Sequence, residues 1–319
     1  MTDLSDTLVV VFGGSGFVGR YIVQHLARRG ARIRVAVRRP EFAQFLKPMG
    51  ATGQIQILRS NLRQKDSVAA AVDGAAVVIN CVGILAESGK QKFSAIQAEG
   101  ARIVAEAAAD AGVTKLVQIS AIGADPASDS AYARSKAAGE QAVLEAFPKA
   151  TILRPSLVFG PEDDFFNRFA AMARLLPALP LIGGDTRFQP VYVGDVADAV
   201  MAALDKGKTA QGKLFELGGP EILTFRALLE RMMTVTMRRR PLINVPMPLA
   251  KLQASVLQFL PNPPLTPDQL RLLARDNVVA DDASTLKTLG LTPTPLETIL
   301  PTYLKRYRPG GQFARKGSV

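Results

Sequence analysis

The sequence predicts an α/β protein, a doubly wound parallel sheet with a smaller, mainly helical C-terminal lobe. Short apolar runs alternate with helically spaced segments through the first half of the chain, the pattern of parallel strands joined by helical crossovers. A glycine string, Gly13 to Gly19, follows the first apolar run and opens a helical segment. Beyond Phe159 prolines and glycines thicken, at Gly160-Pro161, Pro177, Pro180, Gly183-Gly184 and Pro190, which marks a change of architecture.

Leu8 to Phe12 is apolar throughout and ends in glycines, as a strand covered on both faces does. Gly16 to Arg29 carries Val18, Ile22, Val23 and Leu26 on one helical face, and Gly30 ends it. Further strands are expected at Ile33 to Val37, Ile55 to Leu58, Ala75 to Val82, Leu116 to Ser120 and within Thr151 to Phe159. Helices are expected at Val68 to Val72, Ile96 to Ala111 and Tyr132 to Ala146. Val191 to Leu204 reads as a strand end and a returning helix, and Leu214 to Leu217 as one more strand. The nucleotide-type domain is therefore drawn as 1–160 plus about 190–218, the lobe as about 161–189 and 219–308, and the tail 309–319 as loose.

Composition narrows the functional classes. With 319 residues, 48% hydrophobic and 21% charged, the chain is an ordinary globular one. Its net charge of +11 favours anionic partners such as a phosphorylated cofactor, an acidic protein face or lipid headgroups. No nucleic-acid-binding pattern is present. A single cysteine, Cys81, and a single histidine, His25, make neither a disulfide nor a typical zinc site, so no metal is expected. No apolar run is long enough for a membrane span. The first strand begins too early for a secretory signal, so a cytoplasmic protein is expected, not a secreted one.

The string GGSGFVG lies between a strand and a helix, the context that makes such a loop a diphosphate cradle. Gly13 permits the turn, Gly16 lets the backbone approach the ligand, and Gly19 lets the helix pack on the strand. The loop residues Gly13, Ser15, Gly16, Phe17, Val18 and Gly19 are the candidate contacts, with the helix N-terminus facing the phosphates. The second strand ends Val37-Arg38-Arg39-Pro40, without the carboxylate that usually holds the ribose of NAD. Guanidinium groups there suit a 2′-phosphate, so NADP(H) is favoured and NAD(H) is the alternative. A solvated surface pair is the bland reading of Arg38 and Arg39. Asn61 and Leu62 follow the third strand, and Val82 and Gly83 the fourth, at the level of the adenine and ribose.

Tyr132 and Lys136 share a helix face at i and i+4, after the fifth strand. An ammonium beside a phenol can hold it as phenolate for acid–base work. Ser120 ends the fifth strand, but Ala121 and Ile122 stand where a catalytic hydroxyl is expected. Loss of such a donor typically costs on the order of a hundredfold in rate.

These motifs together resemble the extended and atypical branches of the short-chain dehydrogenase/reductase superfamily, with its Rossmann domain and Tyr-x-x-x-Lys site. The resemblance implies that Tyr132 and Lys136 are the catalytic pair if the protein is an enzyme. It also implies that Pro155 and Val158, in RPSLVFGP at 154–161, pass the nicotinamide. GGSGFVGRYIVQHLARRG, Arg38-Arg39, YARSKAAGE, AFPKATILRPSLVFGPEDDFFNRF and QPVYVGDVADAV resemble a narrower group. This is the nucleotide-binding accessory subunit of respiratory complex I, the NADH:ubiquinone oxidoreductase, and its bacterial relatives. That likeness implies a structural, non-turning-over cofactor, complex I subunits as partners, and a place on the cytoplasmic face of the inner membrane. An active NADP-dependent reductase, epimerase or dehydratase and a redox-sensing NADPH-binding regulator are the alternatives.

In the lobe, Leu249, Leu252, Val256, Leu257 and Leu260 recur at helical spacing over Pro248 to Leu260. The stripe is either an ordinary core face or a membrane-surface or partner-binding helix. Arg238 to Arg240, with Lys305, Arg306 and Arg308, are either a solvated basic face or a site for lipid phosphates or an acidic subunit.

Overall fold

The computed structural model describes residues 4–258, 265–311 and 313. In chain order the elements begin with β1 (Leu8–Phe12), α1 (Phe17–Arg28), β2 (Arg32–Val37), β3 (Ile55–Arg59), α2 (Lys65–Val72) and β4 (Val77–Asn80). Then come α3 (Glu99–Asp110), β5 (Lys115–Ile119), α4 (Ala131–Ala146), β6 (Thr151–Pro155) and β7 (Val158–Phe159). They continue with α5 (Phe165–Leu175), β8 (Leu179–Leu181), β9 (Arg187–Phe188), β10 (Val191–Tyr192), α6 (Val193–Lys206), β11 (Leu214–Leu217) and β12 (Leu223–Thr224). The rest are α7 (Phe225–Thr236), β13 (Leu242–Asn244), α8 (Met247–Leu257), α9 (Pro267–Leu273) and α10 (Leu296–Leu304).

The chain forms two compact units. The first comprises Met1–Pro155, Gly194–Leu217 and Ala280–Thr292. It contains a seven-stranded sheet in the order β11-β6-β5-β4-β1-β2-β3, parallel at every pairing. The expected doubly wound Rossmann sheet is thus what the chain forms. Val9, Val10, Val11 and Phe12 of β1 are all buried, as are Val77, Val78 and Ile79 of β4, because helices cover a parallel sheet on both sides. The order reverses between β1 and β4, the topological switch point at which such sheets open a crevice beyond their strand ends.

Residues Ala280–Thr292 pack with this first unit, although the sequence reading assigned them to the lobe. The reason is local hydrogen bonding. The Glu216 amide donates to Ser284 O at 2.8 Å, and the Ala280 amide donates to Glu216 Oε2 at 2.9 Å. The segment therefore lies along β11, a pairing that no local periodicity encodes.

A charged clamp fixes α4 to the sheet. Arg154 of β6 donates to Glu140 through Nε at 2.9 Å and Nη2 at 2.6 Å, and reaches Glu216 Oε1 at 3.4 Å. Glu140 and Glu216 are both buried.

The second unit comprises Ser156–Val193, Gly218–Val279 and Pro293–Val319. Its core packs Phe159, Phe166, Phe225, Leu228, Leu229, Met232, Leu296, Leu300 and Leu304. Buried Asp163 accepts from the amides of Gly160 and Phe166 and from the Tyr303 hydroxyl at 2.5 Å, which ties the N-terminus of α5 to α10. Short pairs β7–β10, β8–β13 and β9–β12 complete it. Leu260 and most of the tail from Pro309 lie outside the described residues. Among those described, no helix is long and apolar enough to cross a membrane.

Arg154→Met leaves two buried carboxylates without their cation. Removal of one partner of a buried pair typically costs 3–5 kcal/mol, and partial exposure of the guanidinium places this one near the lower end, about 3 kcal/mol. Denaturant unfolding is expected to record that loss, with partial recovery in the Arg154→Met/Glu140→Gln double variant.

Candidate functional site

Six strand ends of the first unit carry the candidate groups, because parallel strands present all their carboxyl ends at one edge. Gly13 follows β1, Arg38 follows β2, Asn61 follows β3, Val82 follows β4, Ser120 follows β5, and Pro155 ends β6.

The glycine loop is built by close approach. Gly13 has a φ of +73°, and a Cβ there would lie 3.0 Å from the Val82 side chain. A Cβ at Gly19 would lie 2.4 Å from Gly13 O, whereas at Gly16 it would meet only that oxygen, at 3.2 Å. The three roles read from the sequence thus have separate geometric causes: a left-handed turn, an open backbone and a helix–strand contact. Gly14, not singled out in the sequence, is equally constrained, since a Cβ would touch Val11, Val23 and Val35 within 3.2 Å. Gly16 precedes α1 without a capping side chain, and the helix's first turn holds no acidic residue, so the helix itself supplies no anion to its positive end. Ser15, Phe17 and Val18 are half-buried around it. Arg20 spans the loop, with Nη2 3.3 Å from Ser15 O and its guanidinium 4.9 Å from the Phe45 ring centre.

Beside the loop lies a cavity of about 420 Å³ lined by Arg38, Arg39, Arg59, Ser60, Asn61, Gln64 and Ser67. No carboxylate lines it. The parallel register sets Arg59 against Val37, which brings the end of β3 beside the Arg38–Arg39 pair. Arg59 was missed in the sequence. Its signal was a basic residue at the end of the neighbouring strand. Ser67 closes the β3–α2 turn by accepting from the Asn61 amide at 3.0 Å and donating to Asn61 O at 3.1 Å. Leu62 sits elsewhere: it is buried in the core against α3, 3.1 Å from where a Cβ on Gly100 would lie. Of the Asn61–Leu62 pair, only Asn61 reaches the cavity.

At the middle of the sheet, buried Asn80 donates to Gln118 Oε1 at 2.9 Å and accepts from the Val82 amide at 3.1 Å. This pair holds the turn through Val82 and Gly83. Lys136 Nζ lies 3.5 Å from Ile119 O and 3.3 Å from the position of a Cβ on Gly83. Its charge stands 5.9 Å from the centre of the Tyr132 ring, which also meets Phe93 edge-on at 5.8 Å. The N-terminus of α4 is capped by Ser130, which accepts from the Ala133 amide. A helix placed this near the preceding segment needs Gly139, where a Cβ would fall 2.1 Å from Gln97 O. Val158 belongs to β7, in the second unit.

Burial governs the protonation states. It pushes the Tyr132 phenol up to about 12 and the Lys136 ammonium down to about 8. The Lys136 shift is opposed by the charge of Glu140 one turn along the helix. With burial as the cause of its rise, Tyr132 is a neutral phenol here. The Cys81 thiol also rises, to about 12, and stays protonated. Ile122 is buried and its amide donates to Pro155 O at 3.0 Å, so the segment after β5 offers an aliphatic chain in place of a hydroxyl. Ser120 is 4% exposed. Its Oγ and Gln97 Oε1 are buried without a hydrogen-bond partner among the described residues, which native interiors rarely leave so. Among the described residues no group of three His, Cys, Asp or Glu could hold a metal ion.

A family model, "NAD dependent epimerase/dehydratase family", matches residues 9–218. The chain is 37% identical over 322 residues to the mitochondrial NADH dehydrogenase [ubiquinone] 1 alpha subcomplex subunit 9 of Arabidopsis thaliana, covering 97% of this chain and 80% of that one. It is 33% identical over 195 residues to a ceramide reductase of Caulobacter vibrioides, covering 61% of this chain and 60% of that one. A UDP-glucose 4-epimerase of Thermotoga maritima has the same fold, with a TM-score of 0.73 at 17% identity over 93% of this chain and 97% of that one.

Lys136 is 7% exposed, and burial brings its ammonium down to about 8 from the ordinary 10.5. The unfolded chain therefore binds the extra proton between those values, and wild-type stability rises with pH across that window. The burial penalty is fully present below about pH 8. Lys136→Met is expected to be more stable than wild type by roughly 3 kcal/mol there, with the advantage fading toward pH 10.5. Denaturant unfolding at a series of pH values reads this directly.

Proposed function

This chain belongs to the NAD dependent epimerase/dehydratase family, and from that premise we propose that it is an NADP(H)-holding accessory or assembly subunit of respiratory complex I whose cofactor is structural. The observation that carries the reading is the contrast within one sheet edge. The nucleotide cradle has every feature that close backbone approach requires, while the hydroxyl expected beside the Tyr-x-x-x-Lys pair is replaced by buried Ile122. The likeness to the Arabidopsis subunit over nearly the whole chain supplies the partner class, the other subunits of that complex.

The residues present fit a dinucleotide. Gly13 and Gly19 let the loop and α1 close up on β1, and Gly16 leaves the backbone open where a diphosphate would approach. Arg38, Arg39 and Arg59 around a cavity free of carboxylates suit the 2′-phosphate that separates NADP(H) from NAD(H). Asn61 would face the adenine, and Val82 and Gly83 the ribose. Lys136 would donate to the nicotinamide ribose, near Ser120 and Pro155. Bound, the group would supply hydride chemistry. In this reading the chain's own residues bind and orient it and exclude water, and no proton needs to move at Tyr132.

A second reading is an NADP-dependent reductase of a lipid-like carbonyl substrate, with Tyr132 as proton donor. The intact Tyr132–Lys136 geometry and the likeness to the ceramide reductase favour it.

Nucleotide released from gently purified protein by denaturation is expected to be NADP(H) by mass, and to exchange slowly with labelled NADPH in the native protein. Fast exchange, with carbonyl reduction lost in Tyr132→Phe, would install the second reading. Arg38→Ala/Arg39→Ala is expected to weaken NADPH binding about tenfold or more, the worth of charge-assisted contacts to one phosphate. NADH binding should barely change. Release of NAD(H) would overturn the 2′-phosphate assignment.

A further inference from the structure

Helix α8 is amphipathic in an unusual sense: it is apolar on two opposite faces. Ala250 and Ala254 are its only fully buried residues, and they pack against Leu270 of α9 with half-buried Met247 nearby. Leu249, Leu252 and Val256 recur at i, i+3 and i+7 on the opposite side and are 48%, 65% and 66% exposed. The reading of this stripe as a core face therefore fails. The small alanines are what seat the helix, and the large aliphatic side chains point away. Polar Lys251, Gln253 and Ser255 flank the stripe and are exposed.

The chain leading into α8 is basic and equally apolar. Between Glu230 and Asp268 the sequence has no Asp or Glu. Arg238, Arg239 and Arg240 stand there beside exposed Met237 and Ile243. The pairing of β13 with β8 brings this stretch to the C-terminus of α5, where Arg174, Leu175 and Leu176 are exposed. Two of these cations have local structural work: Arg240 Nε donates to Ala173 O at 3.0 Å and Arg238 Nε to Tyr307 O at 2.7 Å. They cap free carbonyls, as basic groups do at helix C-termini. That explains their position but not why the stretch around them holds no carboxylate. Arg238 is held below its ordinary range by burial first and then by Arg240 and Arg174, so the three guanidiniums crowd one another. Arg239 is exposed, and among the described residues it has no ion-pair partner.

We propose that the exposed stripe of α8, with the neighbouring arginine cluster, docks the second unit on the surface of a membrane containing anionic phospholipids. An aliphatic stripe flanked by polar residues is buried at the depth where headgroups meet acyl chains, while arginines meet the phosphates. The arginine-rich stretch leading into the stripe, which holds no carboxylate, complements phosphate headgroups, and this makes anionic lipid its occupant. The inference is independent of what the first unit binds.

The test is co-sedimentation of the full chain with vesicles of phosphatidylcholine alone and of equal parts phosphatidylcholine and phosphatidylglycerol. Wild type is expected to bind the anionic vesicles, and to release as salt screens the arginines. Leu252→Gln/Val256→Gln is expected to bind roughly tenfold more weakly, with unchanged thermal unfolding and nucleotide content, since both side chains are exposed. Arg239→Glu is expected to weaken binding to the anionic vesicles alone. A wild type that stays in the supernatant with both vesicles would overturn the proposal, as would a double variant that sediments like wild type. If wild type ignores vesicles while the double variant fails to enter detergent-purified complex I, the face is a protein interface and the lipid assignment is wrong.

Discussion

The contact on which the site depends is that of α1 with the end of β1. Where Gly19 passes Gly13 O, a Cβ would fall 2.4 Å away, inside any tolerable contact. Three consequences follow from this one approach. The helix axis is brought close enough for its N-terminus to face the crevice at the switch point. Gly13 is forced into a left-handed turn, which only glycine enters cheaply. A Cβ on Gly13 would lie 3.0 Å from the Val82 side chain, so the loops after β1 and β4 come together only because that atom is missing. A cradle assembled this way has little freedom to relax, and rigid backbone donors are what a diphosphate selects.

A second, electrostatic constraint acts through α4. Arg154 holds both oxygens of Glu140, which lies one turn from Lys136 on the same helix. The fork orients α4 against β6, and so fixes where Tyr132 and Lys136 stand. It also divides the negative charge of Glu140 between a guanidinium and a buried ammonium. The helix can approach because Gly139 removes a side chain at the π-helical turn Ser94–Ala98. The pair is therefore held by geometry, while its protonation is set by desolvation. Burial keeps the phenol protonated and loosens the lysine's proton, the reverse of what a general base needs before any ligand enters.

Much of this was legible in the sequence, for identifiable reasons. Parallel strands buried on both faces read as continuous apolar runs, so β1, β2 and β5 could be placed from Leu8, Ile33 and Leu116 alone. The glycine loop was legible because each glycine answers a local steric demand. Arg59 was not, because its relevance depends on the register between β2 and β3, a non-local property. The same holds for the Asn80–Gln118 pair and for the return of Ala280–Thr292 to the first unit through Glu216. Leu62 was misplaced because an aliphatic residue after a strand looks the same whether it faces a ligand or α3. On α8 periodicity found the stripe but could not give its direction. A face packed by Ala250 and Ala254 leaves a weaker hydropathy signal than the exposed one, so the eye is drawn to the wrong side.

These constraints explain how binding and catalysis can separate in such a fold. The groups that would hold a dinucleotide are mostly backbone and glycine at β1 and β4 and arginine at β2 and β3. Substitution there is limited by sterics and by charge. The expected catalytic hydroxyl, by contrast, sits on a strand end whose amide is already satisfied by Pro155 O. An aliphatic side chain at Ile122 keeps that bond and gains burial. Nothing in the fold resists the exchange, so an oxyanion donor can be lost without loss of the cradle. The retained Tyr132 and Lys136 are then no proof of turnover. Lys136 has its own contact with Ile119 O and its place between Gly83 and Tyr132. Both residues would be kept by packing and ribose contact even where no proton is passed.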